Sequence, residues 1–437
     1  MKIHIDLDCF FVSAERTLNP ALIGQPVGIG GRGDQYIFAK ESGRQTVNLE
    51  NSGSFVGTFF QAYDPGQSDM EKFTDPDGRV RGILTTASYE ARKYGVNTGT
   101  TIREALQRCP NLIVKAPNMK LYQRLSHELH AFLQKRIPVI EQASIDEFYG
   151  DLSGWVEDAE VPCFIDMLRH EIRRKLDLPV SIGAAQTKYI AKLATGAAKP
   201  FGCKTVYPSD VAEFIETLPV REFPGIGRSM QRKLDAYHIR TLGELSRARS
   251  LLESWGPYAK ELYRRVTGSD SAEVIPDHVR KSIGISRTFD PVGDRGEMRR
   301  RVIILARHLA YAVMRIGVIP TTFSVGIRYE MSPSSHANST ELRLFNETWF
   351  KDLVLSLFYR ADTHKNHRIV RLSIHCSHFT CTSRRELSLL HFEEDRQKHR
   401  LTEQTQAVRE KYGLDILKWG SELDTGEKGK PSAEGGS

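Results

Sequence analysis

The sequence predicts an α+β protein built from more than one domain, and three observations carry that reading. Between residues 2 and 186, period-two strands alternate with amphipathic helices and antiparallel signals are frequent. From about 208 to 272 the pattern changes to short helices joined by Gly-rich turns. After a charged connector at 273–282 the elements follow the split βαβ order. At 437 residues the chain also exceeds the length that one core usually serves.

KIHIDLD at 2–8 alternates Ile3, Ile5 and Leu7 with polar neighbours, and a short amphipathic stretch follows before Asn19-Pro20, so a strand feeds directly into a helix. From Gly30 to about Arg81 the chain is rich in Gly, Ser, Asp and Asn and holds no period, as a long insertion or elaborated loop would. GILTTAS reads as a strand; YEARKYGV then enters a helix, and Thr101-x-x-Glu104 is a helix-start signal before ALQRC. Pro110 and Pro117 bracket another strand. Residues 119–136 have helical spacing, 143–152 read as a strand or hairpin, 161–176 as a helix and 179–186 as a strand. PGIG at 224–227 precedes a helix beginning near Ser229. The last third orders as strand 283–289, helix 298–316, strands 321–331 and 340–345, helix 347–361 and strand 368–377, a ferredoxin-like arrangement. Val302, Leu305, Leu309, Val313 and Ile316 put one apolar face on its first helix, and DTGEKGKPSAEGGS closes the chain with nothing to pack.

Composition narrows the function classes. Hydrophobic residues make up 40% of the chain, so it can bury sizeable cores. Sixty-one Lys and Arg against 54 Asp and Glu leave +7, which suits a polyanionic partner. Apolar runs stay short of the roughly 18 residues a membrane span needs, and MKIHIDLDCFF has no signal-peptide pattern, so a cytoplasmic location is expected. Cys9, Cys109, Cys163, Cys203, Cys376 and Cys381 form no CxxC pair and read as reduced packing residues.

The chemistry centres on carboxylates. Asp6 and Asp8, two apart on a strand, point to one face, while Asp146 and Glu147 follow Ser144-Ile145. Taken singly, both pairs are ordinary surface acids. Together, near two strand ends, they can hold hard cations that keep open positions for phosphate oxygens. Adjacent residues on a strand face opposite ways, so Asp146 and Glu147 converge only at a distorted strand end or a hairpin.

Four blocks in order, IDLDCFFVSAE (5–15), TTASYEARKYGV (85–96), ASIDEFYGDLSG (143–154) and IGAAQTKYIAKLATGAAKPFG (182–202), resemble the Y-family translesion DNA polymerases, the group that includes bacterial polymerases IV and V. PGIG and RKSIG (280–284) continue the match to about residue 380, apart from the insertion. The resemblance implies a right-hand polymerase: palm at 1–10 and 118–208, fingers at 11–117 with the insertion at about 34–80, thumb with a helix-hairpin-helix at 209–272, linker at 273–282, little finger at 283–382 and a tail at 383–437. It implies error-prone, template-directed addition of deoxynucleotides to a primer 3′-OH by two Mg²⁺ ions, for which Mn²⁺ can substitute. The implied partners are primer-template DNA, dNTPs and the bacterial sliding clamp, the protein acting as a monomer, with no nuclease block for proofreading. The rivals are a non-catalytic accessory DNA-binding relative and a two-metal nuclease; retention of the family's metal and triphosphate residues argues against the first, and the second leaves those triphosphate residues and the gate unexplained.

Carried over residue by residue, the resemblance makes Asp6, Asp146 and Glu147 the metal-binding carboxylates, with the Leu7 carbonyl as a further ligand. Phe11 becomes the steric gate against a ribose 2′-OH, and Cys9, Phe10, Phe11, Thr86, Tyr89, Arg92 and Lys199 the nucleotide-binding set. Tyr89 and Arg92 share a helix face, as a hydroxyl and a guanidinium meeting one triphosphate must. Ile83 and Thr85 roof the nascent base pair, Ile83 being bulky for that place. Gly225 and Gly227 of PGIG, with Arg280, Lys281, Ser282, Arg287 and Arg371, are the implied DNA contacts. Seven Lys or Arg against three acids between 279 and 301 support phosphate binding there. The insertion's clustered Phe55, Phe59, Phe60 and Tyr63 are expected to pack part of it on the fingers. Glu386, Leu387, Leu389 and Leu390 resemble a clamp-binding peptide, with Glu386 where Gln is usual.

Overall fold

The computed structural model describes residues 1–32, 37–38, 68–75, 77–277, 279–331, 333–380 and 391–422, and the backbone of 45–48 and 59–62. Among them no helix is long and apolar enough to cross a membrane. The chain divides into two compact units: residues 1–31 and 68–277 lie in the first, and 37–38, 45–48, 59–62 and everything described from 279 onward in the second.

The first unit opens with β1 (Lys2–Leu7), α1 (Phe10–Leu18) and β2 (Val27–Gly31). After β3 (Gln45–Asn48) and β4 (Phe59–Ala62), which pair with each other in the second unit, come β5 (Ile83–Ala87), α2 (Tyr89–Arg92), α3 (Ile102–Arg108) and β6 (Ile113–Lys115). Then follow α4 (Met119–Gln134), β7 (Val139–Gln142), β8 (Glu147–Asp151), α5 (Val161–Leu176), β9 (Val180–Ala185), α6 (Lys188–Ala198) and β10 (Cys203–Val206). The main sheet runs β10-β9-β1-β8-β7, with β1 in the middle and antiparallel to both neighbours.

The pleat gives this sheet two different faces. Ile3, Ile5, Leu7, Phe148, Ile182 and Ala184 bury one face in a core with Leu125 and Leu129 of α4 and Ile165, Leu168 and Ile172 of α5. His4, Asp6, Glu147, Tyr149, Ser181 and Gly183 alternate with them onto the other face, where α6 lies. Gly183 permits that approach: a Cβ there would stand 2.2 Å from the Ala191 carbonyl oxygen. A second sheet of three strands runs β5-β2-β6. Thr101 caps α3 by accepting from the Glu104 amide.

The helical segment consists of α7 (Val211–Ile215), α8 (Arg228–Asp235), α9 (Leu242–Arg247), α10 (Arg249–Ser254) and α11 (Pro257–Val266). Their apolar residues join Ile190, Ala191, Leu193 and Ala194 of α6 in one core, and Thr241 with Glu244 forms a complete capping box on α9.

The second unit carries β11 (Ser282–Val292), α12 (Arg295–Ile316), β12 (Ile319–Tyr329), β13 (Ser335–Thr340), α13 (Glu347–Ala361), β14 (Ile369–Thr380) and α14 (Phe392–Tyr412). Its antiparallel sheet runs β11-β14-β12-β13, and α12 and α13 cover one face.

Three expectations need correction. The strand placed at 340–345 is at 335–340: Thr340 pairs with Thr322, whereas the apolar signal of Leu342 and Leu344 belongs to the connection into α13. The insertion does not behave as one unpatterned loop. Phe73 is 2% exposed in the core around β5 and α3, while Ile37 is 3% exposed in the core of the second unit. Phe38 packs edge-on against Phe289, its carbonyl accepts from Arg300, and the Arg301 guanidinium lies over its ring. Nothing is described of Phe55 and Tyr63 or of the Phe59 and Phe60 side chains. The third correction concerns the tail, whose residues 392–422 form α14 and two short 3₁₀ turns on the second unit. That helix is polar all round, so hydropathy gave no signal; it is held by Arg343–Asp395 and Arg409–Glu347, with Arg307 reaching Asp415 and Glu422 beyond it.

Candidate active site

Asp6 sits next to the end of β1 and is the cross-strand partner of Glu147, the first residue of β8. Asp146 occupies the turn between β7 and β8, which supplies the break in alternation that adjacent carboxylates need. Its carbonyl accepts from the Leu7 N–H at 3.0 Å. The Ser144 hydroxyl donates to Asp146 Oδ1 at 2.6 Å and accepts from the Glu147 N–H at 3.0 Å, fixing the turn. The Leu7 side chain is buried, leaving only its backbone as a donor group.

Burial, opposed by Lys199 and reinforced by Asp146 and Glu147, pushes the Asp6 carboxyl up to about 7. Asp146 is raised too, chiefly by burial. Two lysines answer this charge. Lys199 donates to Asp6 Oδ1 at 2.5 Å, and Lys192 to both oxygens of Glu147 at 2.6 and 2.7 Å. Among the described residues no three acid, His or Cys side chains stand together at metal-binding spacing. The donor set nevertheless fits hard divalent cations: three carboxylates at one sheet end, with their charge met by ammonium groups that a cation can replace.

Asp8 is 2% exposed and accepts from Ser181 Oγ, the Phe201 N–H at 2.7 Å and the Tyr89 hydroxyl at 3.2 Å. It anchors the segment carrying Lys199 beside α2. Arg92 lies over the Tyr89 ring at 4.8 Å and donates to the Ala87 carbonyl. Phe11 stacks on Tyr122 with centroids 4.4 Å apart and 12° between planes, and Tyr122 donates to Glu15 at 2.8 Å. Cys9, with φ 47°, caps α1. Phe10 is 2% exposed in the core, so only its backbone can meet a nucleotide. Thr86 is half-buried on β5. On that strand Ile83 is 47% exposed, and Thr85, facing the same side, donates to the Ile29 carbonyl at 3.0 Å.

In the helical segment Gly225 has φ +99°, which favours glycine, and Gly227 caps α8. On the second unit, the sheet face away from α12 and α13 carries Ser282, Gly284, Ser286 and Thr288 of β11 opposite Ser377, His375, Ser373 and Arg371 of β14. Arg371 donates to Ser286 there. Arg287 is different: it shares the core-facing side of Ile283 and Ile285 and pairs with the buried Leu372. Arg295, Arg300 and Arg301 are bound to Asp362 and Glu297, so much of the local positive charge is structural. Lys281 is exposed and Arg280 half-buried. The clamp-like residues Glu386, Leu387, Leu389 and Leu390 lie outside the described residues.

Sequence reasoning missed Lys192, Ser144, Ser181 and Tyr122. Lys192 had a signal, since it precedes Lys199 by seven residues and two helical turns place both on one face.

The fold is that of a right-hand polymerase. Residues 5–196 match the impB/mucB/samB family model, 208–239 the IMS family HHH motif and 280–389 the impB/mucB/samB family C-terminal domain. The chain is 32% identical over 290 residues to DNA polymerase IV of Glaesserella parasuis, covering 66% of this chain and 69% of that one. To DNA polymerase IV of Bacillus anthracis it is 27% identical over 435 residues, covering 96% and 93%. A solved Y-family DNA polymerase chimera, Dbh-Dpo4(243-245)-Dbh, superposes with a TM-score of 0.67 at 24% identity, over 87% of this chain and 99% of that one. The chain belongs to the impB/mucB/samB family, the Y-family translesion DNA polymerases.

Proposed function

We propose that this DNA-directed DNA polymerase extends a primer 3′-OH from dNTPs on a DNA template, with Asp6, Asp146 and Glu147 as its metal-binding carboxylates. The observation that carries the reading is the meeting of these three residues at the end of β1 and in the β7–β8 hairpin. Two Mg²⁺ ions, or Mn²⁺ in their place, supply charge neutralisation at the α-phosphate and a more acidic primer hydroxyl. The chain's own groups do the positioning. Tyr89, Arg92 and Lys199 hold the triphosphate oxygens, and the amides of Cys9, Phe10 and Phe11 with the Thr86 hydroxyl complete that cradle. Phe11 excludes the ribose 2′-OH, while Ile83 and Thr85 cover the new base pair. The palm, fingers, thumb, linker and little-finger boundaries given above are part of this proposal, as are the absence of proofreading and monomeric action in the cytoplasm.

DNA is held through phosphates by the Gly225 to Gly227 turn and by Arg280, Lys281, Ser282 and Arg371. Arg287, on the inner face of its sheet, supports that surface from behind. The 386–390 peptide is the proposed clamp ligand. Loss of clamp-stimulated extension in Leu389→Ala/Leu390→Ala tests it; undiminished stimulation overturns it. For the chemistry the test is Asp146→Ala in primer extension with Mg²⁺: extension is abolished while DNA binding persists, because the phosphate contacts are distributed. Normal extension overturns the carboxylate assignment.

A further inference from the structure

The face of α6 turned to the main sheet is a ladder of polar contacts. Lys188, Lys192, Thr195 and Lys199 follow at spacings of four, three and four residues, so they line one side of the helix and its end. Lys188 reaches Glu141, Lys192 reaches Glu147, Thr195 bonds His4 Nδ1 and the His4 carbonyl at 3.0 Å each, and Lys199 reaches Asp6. Gly183 lets the helix lie close enough for these contacts.

Lys192 differs from Lys199 in its mounting. Lys199 follows the last residue of α6. Lys192 is in mid-helix, between Ala191 and Leu193, both buried, and the Thr195–His4 contacts one turn on fix the helix against β1. Its ammonium engages both Glu147 oxygens, and both side chains are largely sheltered, at 29% and 24% exposure. Water therefore screens this pair less than a surface pair. The Lys192 ammonium neutralises the charge on Glu147 that would otherwise attract a cation, and it occupies one acceptor site on each oxygen.

We propose that Lys192 is the resident counter-ion of Glu147, a positioning residue that holds this carboxylate in the metal-free protein and competes with divalent cations for it. The inference rests on the carboxylate reading of the site. A rigidly mounted cation beside three carboxylates repels an incoming divalent cation and lowers the negative charge that attracts it, and in return keeps the acids together before metal arrives.

The test uses the full-length protein without DNA or nucleotide. Mn²⁺ affinity is read by calorimetry or by the free-ion paramagnetic resonance signal, and thermal melting is followed in chelator and in Mg²⁺. Lys192→Met tightens Mn²⁺ about three- to tenfold, the scale of one partly sheltered ion pair. It also lowers Tm in chelator and enlarges the gain in Tm on adding Mg²⁺. Lys192→Arg returns each value toward wild type. Lys192→Gln supplies the same comparison if the methionine variant does not fold. Unchanged or weaker Mn²⁺ binding in both neutral variants overturns the proposal. Asp146→Asn separates the two readings: if it leaves Mn²⁺ binding intact, the carboxylate assignment falls and this inference with it. If it removes binding while the Lys192 variants bind as wild type does, only the inference falls.

Discussion

Phe11 lies flat against Tyr122, which is itself fixed by Glu15. A ring held from behind in this way is a wall, and removing it removes a clash rather than an attraction. Phe11→Ala is therefore expected to raise ATP incorporation relative to dATP by about tenfold or more, the equivalent of ~1.4 kcal/mol of lost discrimination; single-nucleotide insertion kinetics check this. Elsewhere, buried histidines such as His308 make stability fall in acid. Burial, with Arg307, Arg287, Arg409 and Lys418 nearby, holds His308 well below the ordinary histidine range, so the folded protein keeps it neutral. The unfolded chain takes up that proton near pH 6.5, binds more protons than the folded state, and stability is lost as pH falls below about 6.5. Asp415 stands 4.0 Å from its Nε2 and only partly offsets the cations. His308→Gln is expected to flatten the fall of Tm between about pH 7 and pH 5. Lys192 shows what residue-level reading lacks: its type and spacing are in the sequence, but its partner is 45 residues away.

At the scale of elements, the strands and helices with strong periods were legible. β1, α4, α5, β9 and α12 come from unbroken apolar alternation or stripes. β13 was misplaced because SHANST buries mainly Ala337, and its register is imposed by β12. α14 was missed because its cohesion is ionic. Arg307 has 1% side-chain exposure and serves Glu422, Asp415 and the Leu414 carbonyl. Arg307→Ala strands two carboxylates and is expected to cost about 3–5 kcal/mol in unfolding of the second unit. Arg307→Met with Glu422→Gln costs less, since fewer buried charges lack partners; denaturant titration compares them. Ile37 makes a similar point for the insertion. Its burial predicts that Ile37→Ala destabilises the second unit by about 2–4 kcal/mol, read as faster proteolysis there.

For the whole molecule, the net +7 is divided between internal pairs and free surface. Arg295, Arg300, Arg301 and Arg307 are held in structural ion pairs, whereas Arg371 stands on the outer sheet face between Thr288 of β11 and Arg328 of β12. DNA affinity should therefore fall steeply with salt, and Arg371→Ala should lower the slope of log K against log[salt] by about one. Fluorescence anisotropy at several salt concentrations measures it. The sequence by itself determined the α+β class, the ordered motifs and the helical middle, and through its family resemblance it singled out the carboxylate, tyrosine, arginine and lysine set proposed above. Those signals are local: strand period, helix spacing and short ordered blocks. Tertiary structure decided that Lys192 and Lys199 sit on the carboxylates, that Arg287 faces inward, that Ile37 belongs to the second unit's core and that the tail folds onto that unit. Each depends on groups brought together from distant parts of the chain, and burial and charge pairing between such groups leave no period along the sequence.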